Sequence, residues 1–145
     1  MATGNITVEG AEELIAKLDG LLDANKLMAA MGKACALVER AAKQKAPKGT
    51  GELRRSITSR IENEGGNPVG VVFTPLEYAP YVEYGTGLFA ENGGRTDVPW
   101  SYKDDEGEWH TTSGMKPRPY MRPALNENRE EIVRILKEGV IKKND

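Results

Sequence analysis

The 145-residue sequence predicts an α+β fold in which helices at both ends of the chain flank an antiparallel hairpin. Three patterns carry this reading. Apolar residues recur at three- and four-residue spacing over 14–22 and again over 28–42, which places each set on one helical face. A run from Leu53 to Thr74, rich in β-branched residues on its second half, is divided by Glu64-Gly65-Gly66-Asn67-Pro68, the strongest turn signal in the chain. Leu125, Ile132, Leu136 and Val140 then return to a helical line, with Val133 beside it.

Ile6 and Val8 alternate with polar residues and predict a short first strand. Gly10 precedes the first helix, whose apolar residues are Leu14, Ile15, Leu18, Leu21 and Leu22. A second helix is expected from about Asn25 to Gln44, with Met28, Met31, Cys35, Val38 and Ala42 on its apolar line. Its alanines raise helix propensity and permit close packing. Pro47 ends it, because proline disfavours the helical conformation at the residue before it.

Lys48-Gly49-Thr50-Gly51 reads as a loop, and Leu53, Ile57 and Ile61 then point one way in an extended chain, opposite Arg54, Ser56, Thr58 and Arg60. This strand and the one from Val69 to Thr74 form the long hairpin. The stretch from Gly85 to Lys116 is polar and rich in glycine, with one recognisable unit: Trp100-Ser101-Tyr102 and Trp109-His110-Thr111 flank Asp104-Asp105-Glu106-Gly107 as a second hairpin with a tight turn. Trp100, Tyr102 and Trp109 could stack across its strands, and the two tryptophans either pack onto the main sheet or form an arm that grips a neighbour. Pro123 suits the first turn of the last helix, where its missing N–H costs nothing. No repeat or long linker divides the chain, so it reads as one domain over 1–145, with 88–116 as a variable loop and hairpin insertion.

Net charge is −2, which argues neither for nucleic acid nor for a membrane as partner. The charge is uneven: residues 33–60 carry +6 and the remainder −8, so the two parts could meet across a subunit contact. A solvated basic helix face and loop is the plainer reading. Cys35 is the only cysteine and reads as a small core residue. The N-terminal residues lack the basic and apolar regions of a signal peptide, and no run approaches the ~20 apolar residues of a membrane span, so a soluble protein made in a cytoplasm is expected.

No segment carries an enzyme motif. His110 and Cys35 are the only histidine and cysteine, and they fall on different elements, which gives metal chemistry little support. Asp104, Asp105 and Glu106 share only acidity with a calcium loop. Gly85-Thr86-Gly87 is too short for a phosphate loop, and no lysine follows it. No cofactor, metal or catalytic residue is expected.

Three segments stand out. Ala46-Pro47-x-x-Thr50-Gly51-x-Leu53-Arg54-x-Ser56-Ile57 turns a helix into the hairpin, with glycine free to take positive φ. Tyr78-Ala79-Pro80-Tyr81-Val82-Glu83-Tyr84-Gly85-Thr86-Gly87 gathers three tyrosines whose polar tips suit an interface, or else forms a turn packed on its own sheet. Arg118-Pro119-Tyr120-Met121-Arg122-Pro123-Ala124-Leu125 is stiffened by its prolines, and either Arg118 or Arg122 can meet Glu83 or a carboxylate on a partner.

In this order the three segments resemble the small head–tail joining proteins of long-tailed bacteriophages, the family typified by the gene-ten product of coliphage HK-ninety-seven. The resemblance extends from the first helix to about Leu136 and is loose over 88–116. It implies an α+β fold with a curved antiparallel sheet, a long β-hairpin, two N-terminal helices and one C-terminal helix. It implies a structural virion protein of the neck between capsid and tail. The protein would act as a homo-oligomeric ring, of six copies to match tail symmetry. Its neighbours would be the adaptor or head-closure protein and the tail-tube or tail-terminator protein, and DNA would pass through the channel without sequence-specific binding. Tyr78, Tyr81, Glu83, Tyr84, Trp100, Trp109, Arg118, Tyr120 and Arg122 are the expected interface residues or their support. Lys43, Lys45, Lys48, Arg54 and Arg55 are the expected contact to DNA or to an acidic partner. Two rival classes remain: a nucleic-acid-binding module using the basic 33–60 segment, and a toxin-like or regulatory prophage protein.

Overall fold

The computed structural model describes residues 6–7, 24–91, 93–95 and 97–140. The expected first helix over 14–22 and Val8 of the first strand lie outside these residues. Within them the chain mixes helix and strand, with small antiparallel sheets.

Helix α1, Ala24–Lys45, is the axis of the fold. Its buried line is Leu27, Met31, Ala34, Cys35, Val38 and Ala42, close to the expected one, but Met28 turns outward and is 46% exposed. Met31 and Val38 are almost wholly buried, and each contributes about 1.5–3 kcal/mol by burial. Ala46 caps the run with its N–H on the Ala42 carbonyl, and Pro47 follows.

The next element corrects the sequence reading. Glu52–Ser56 is a short helix, α2, and not the first residues of a strand. Leu53 and Ile57 are four residues apart, so one helical turn buries both as well as an extended chain would. Gly51 opens the turn at φ +80°, as its place in the corner requires. Strand β2, Thr58–Glu64, then pairs with β3, Asn67–Phe73, in a register that sets Ile61 opposite Gly70. The connection is Gly65-Gly66 alone, both at positive φ, the two-residue turn that matches strand twist. The hairpin is thus shorter than expected. Strand β1, Ile6–Thr7, pairs with the other edge of β3, giving the order β1-β3-β2.

Gly70 faces α1: a Cβ there would lie 2.5 Å from Cys35 Sγ and 3.3 Å from Met31 Cε. Helix and sheet therefore approach more closely than a side chain would allow. Glu39 of α1 reinforces the contact by accepting a 2.7 Å hydrogen bond from Ser59 Oγ of β2 and pairing with Lys43 at 3.0 Å.

After β3 come α3, Ala79–Tyr84, and a single 3-10 turn, Gly87–Phe89. Strands β4, Trp100–Lys103, and β5, Trp109–Thr112, form a separate two-stranded sheet. The expected single C-terminal helix is two: α4, Met121–Asn126, and α5, Arg129–Val140. Asn128 makes the break, since its side-chain amide donates to the Ala124 carbonyl at 2.7 Å and its own carbonyl accepts from the Ile132 N–H. Ile132, Leu136 and Val140 are buried against α1, while Val133 is 44% exposed. Lys45 pairs with Glu127 at one end, and Gly139 lies against Ala30 at the other, so α1 and α5 run antiparallel. A Cβ at Gly139 would come within 2.6 Å of the Ala30 Cβ, so glycine lets the two helices approach closely here.

Candidate functional site

The tyrosine-rich segment and the arginine–proline segment meet inside one chain. Helix α3 carries Glu83 inward, where the residue is 4% exposed. Its Oε2 accepts from the backbone N–H of Tyr120 at 2.8 Å and of Met121 at 3.0 Å. Its Oε1 accepts from the backbone N–H of Arg122 and from Arg122 Nε, both at 3.0 Å. One carboxylate thus satisfies the free donors that begin α4, where the helix dipole also favours negative charge. A side chain 37 residues away does the work of a local cap.

Arg122 completes the junction. Its Nη2 donates to the Glu83 carbonyl at 3.1 Å, its Nη1 to Glu91 at 2.7 Å, and its guanidinium lies 4.6 Å from the centre of the Tyr84 ring. These bonds, to Glu91 first and then Glu83, hold its pKa above the usual arginine value. Of the two arginines offered for Glu83, Arg122 is the one that meets it. Arg118 is exposed, and its backbone N–H donates to the Val82 carbonyl at 2.7 Å. Tyr120 is buried, with its hydroxyl near the Ala79 carbonyl, and burial raises its pKa, helped by the charge of Glu83. Glu83 and Tyr120 therefore support a surface and do not line one in the single chain.

Gly85-Thr86-Gly87 locks the segment 113–117 beside this junction. The Thr86 N–H donates to the Met115 carbonyl, the Leu88 N–H to the Ser113 carbonyl, and the Met115 N–H to Thr86 Oγ1. A Cβ on Gly87, at φ +60°, would collide with the Ser113 carbonyl. The glycines are there for backbone contact.

Outside the junction lies a cleft of about 520 Å³, whose lining includes Pro80, Tyr81, Tyr84, Arg95 and Trp100. Tyr81 is 58% exposed at its edge, with Arg95 set 4.8 Å over the Trp100 ring. Tyr78 lies apart from it, its hydroxyl donating to Glu52 at 3.0 Å.

The β4–β5 hairpin is an arm. Trp100 and Tyr102 share one face; Trp109, paired with Lys103, is on the other and is 70% exposed. The three aromatics therefore do not stack across the strands. Tyr102 stacks on its cross-strand partner His110 instead, with ring centres 5.4 Å apart. The turn is organised by Asp104, whose Oδ1 accepts from the N–H groups of Glu106 and Glu108 and whose Oδ2 lies 2.6 Å from His110 Nε2. The hydrogen bond with His110, and then those from the backbone, hold the Asp104 carboxyl below the usual range. Asp104, Glu108 and His110 bring three potential ligand atoms within 4.8 Å of one another, a grouping that their spacing along the chain does not match to a known ligand motif.

The basic residues divide. Lys43 is paired with Glu39, and Lys45 with Glu127 at 2.5 Å. Lys48, Arg54 and Arg55 form no ion pair among the described residues, and Arg54 Nε is buried without a hydrogen-bond partner. Among the described residues no helix is long and apolar enough to cross a membrane.

No curated protein and no solved structure matches the chain. The family described as "Bacteriophage HK97-gp10, putative tail-component" matches residues 12–85, just over half of the sequence. The match takes in the helix-to-hairpin corner and the tyrosine-rich segment up to Gly85, and stops before the arginine–proline segment that Glu83 holds in place. The chain belongs to the HK97-gp10-like family of bacteriophage tail components.

Proposed function

We propose that this protein is a structural part of the phage neck that joins the DNA-filled head to the tail, acting as a ring of six copies around the DNA channel. Its partners in this reading are the adaptor or head-closure protein on one side and the tail-tube or tail-terminator protein on the other. The sheet curves along the ring, the segment from Leu53 to Thr74 reaches an adjacent copy, and DNA slides past without specific contacts.

The observation that carries the reading is the β4–β5 arm on a chain from a tail-component family. A two-stranded hairpin is marginal in water by itself. This one turns Trp109 and Tyr102 outward, 70% and 47% exposed. An aromatic arm of that kind gains its stability on a neighbour. The nucleic-acid reading is the weaker one, since two of its five basic residues, Lys43 and Lys45, are already paired within the chain.

Light scattering after size exclusion tests the ring, with the protein alone and mixed with its adaptor or tail-tube neighbour. A species of about six chain masses in either sample is expected. A monomer in both, over a wide range of concentration and salt, would refute ring formation.

A further inference from the structure

We propose that the acidic tip of the β4–β5 arm of one copy docks on the basic corner formed by Lys48, Arg54 and Arg55 of the next copy. This deepens the ring reading and rests on it. The arm from Lys103 to His110 holds one lysine and four acids, Asp104, Asp105, Glu106 and Glu108, for a net charge of −3 with His110 neutral. Asp105, Glu106 and Glu108 are exposed and bear no ion pair among the described residues. The corner between α1 and β2 is the complement. Lys48 and Arg55 are exposed, and Arg54 keeps a buried Nε with no acceptor. The acid nearest to them in sequence, Glu52, accepts the Tyr78 hydroxyl.

Each patch has unmet needs that the other fills. The exposed cations Lys48 and Arg55 and the exposed carboxylates of the arm are unpaired among the described residues, so contact between them supplies each with its counter-charge. The arm meanwhile has an exposed tryptophan to bury beside its charges. The two patches are different surfaces of one chain, so their contact is head-to-tail. Such a contact repeats from copy to copy and closes into a ring when the rotation allows. A second copy is the occupant because the chain itself carries the matching charge, at a corner that its own arm leaves unpaired.

The test is charge exchange in the full-length protein, read by sedimentation velocity with circular dichroism as the check on folding. The arm variant is D105K/E106K; the corner variant is K48E/R55E. The wild type is expected to assemble, more weakly as salt rises. Each variant alone should associate at least tenfold more weakly. An equimolar mixture of the two should assemble again, because reversed arms meet reversed corners and native arms meet native corners. A chain carrying all four substitutions should do the same. Assembly of both single-patch variants at wild-type strength would overturn the contact and leave the joining role standing. The same holds for a mixture that fails to recover although both variants are folded. Retention of duplex DNA by the wild type, lost in the corner variant while assembly is unchanged, would also overturn it in favour of a nucleic-acid surface. A wild type that stays monomeric at all concentrations would overturn the contact. The joining role is then judged separately, by whether the protein is present in the necks of purified virions.

Discussion

Glu83 and Arg122 bind the two halves of the candidate site: the carboxylate of one accepts both the backbone N–H and the Nε of the other at 3.0 Å, at the start of a helix that neither residue's local sequence could cap. The partnership crosses from the part of the chain that matches the family to the part that does not. It makes Arg122 a structural residue first, so an effect on assembly must be separated from an effect on folding.

Glu83→Ala should cost about 3 kcal/mol, the lower range for breaking a buried pair, because Arg122 keeps about a third of its side chain in water. Three backbone N–H groups lose their acceptor together. Glu83→Gln keeps the shape and part of the bonding and should cost less. Urea denaturation of both variants measures this. A loss below about 0.5 kcal/mol for Glu83→Ala would mean that α4 does not depend on this carboxylate.

Arg122→Lys should not be conservative. One ammonium cannot serve Glu83, its carbonyl and Glu91 while lying over Tyr84. A loss of about 1–2 kcal/mol is expected, with faster hydrogen exchange at Glu91, whose N–H is held by the Tyr84 carbonyl. Wild-type exchange there would show that the fork is dispensable.

Gly70→Ala should destabilise by about 1–3 kcal/mol through overpacking against Cys35. Adding Cys35→Ala opens the space, so the double variant should lose less than the sum of the single losses, with a coupling of about 1 kcal/mol. Additive losses would place the strain elsewhere.

Glu39 predicts an acid limit. Its partial burial would raise its pKa, but the Ser59 hydrogen bond and Lys43 outweigh that and hold it below its ordinary 4.5. A depressed carboxyl contributes stability above its unfolded pKa and loses it as pH falls through the folded value. Glu39→Gln should therefore be less stable than wild type by about 1 kcal/mol at pH 7, and the gap should close below pH 4.5. Thermal melts across this range check it; a gap independent of pH would assign the loss to shape alone.

Much of the architecture was legible in sequence because it is local. Helix α1 follows from its apolar period, and the β2–β3 turn from Gly65-Gly66. The helix α2 was missed because Leu53 and Ile57 satisfy helical and extended burial alike, and the break at Asn128 because a single side-chain amide makes it. The meeting of Glu83 with an arginine was one of several options in the sequence. Its capping of α4 was invisible, since nothing local records a partner 37 residues away. The isolation of Lys48, Arg54 and Arg55 emerged only once Lys43 and Lys45 had found their acids in space.

The central claim is that this tail component joins heads to tails. The most direct measurement is electron microscopy of particles made by a phage lacking this protein, before and after adding the purified chain. Filled heads and finished tails lying apart, and joining on addition, are the predicted result. Intact particles without the protein, or separated parts that the purified chain does not join, would contradict it.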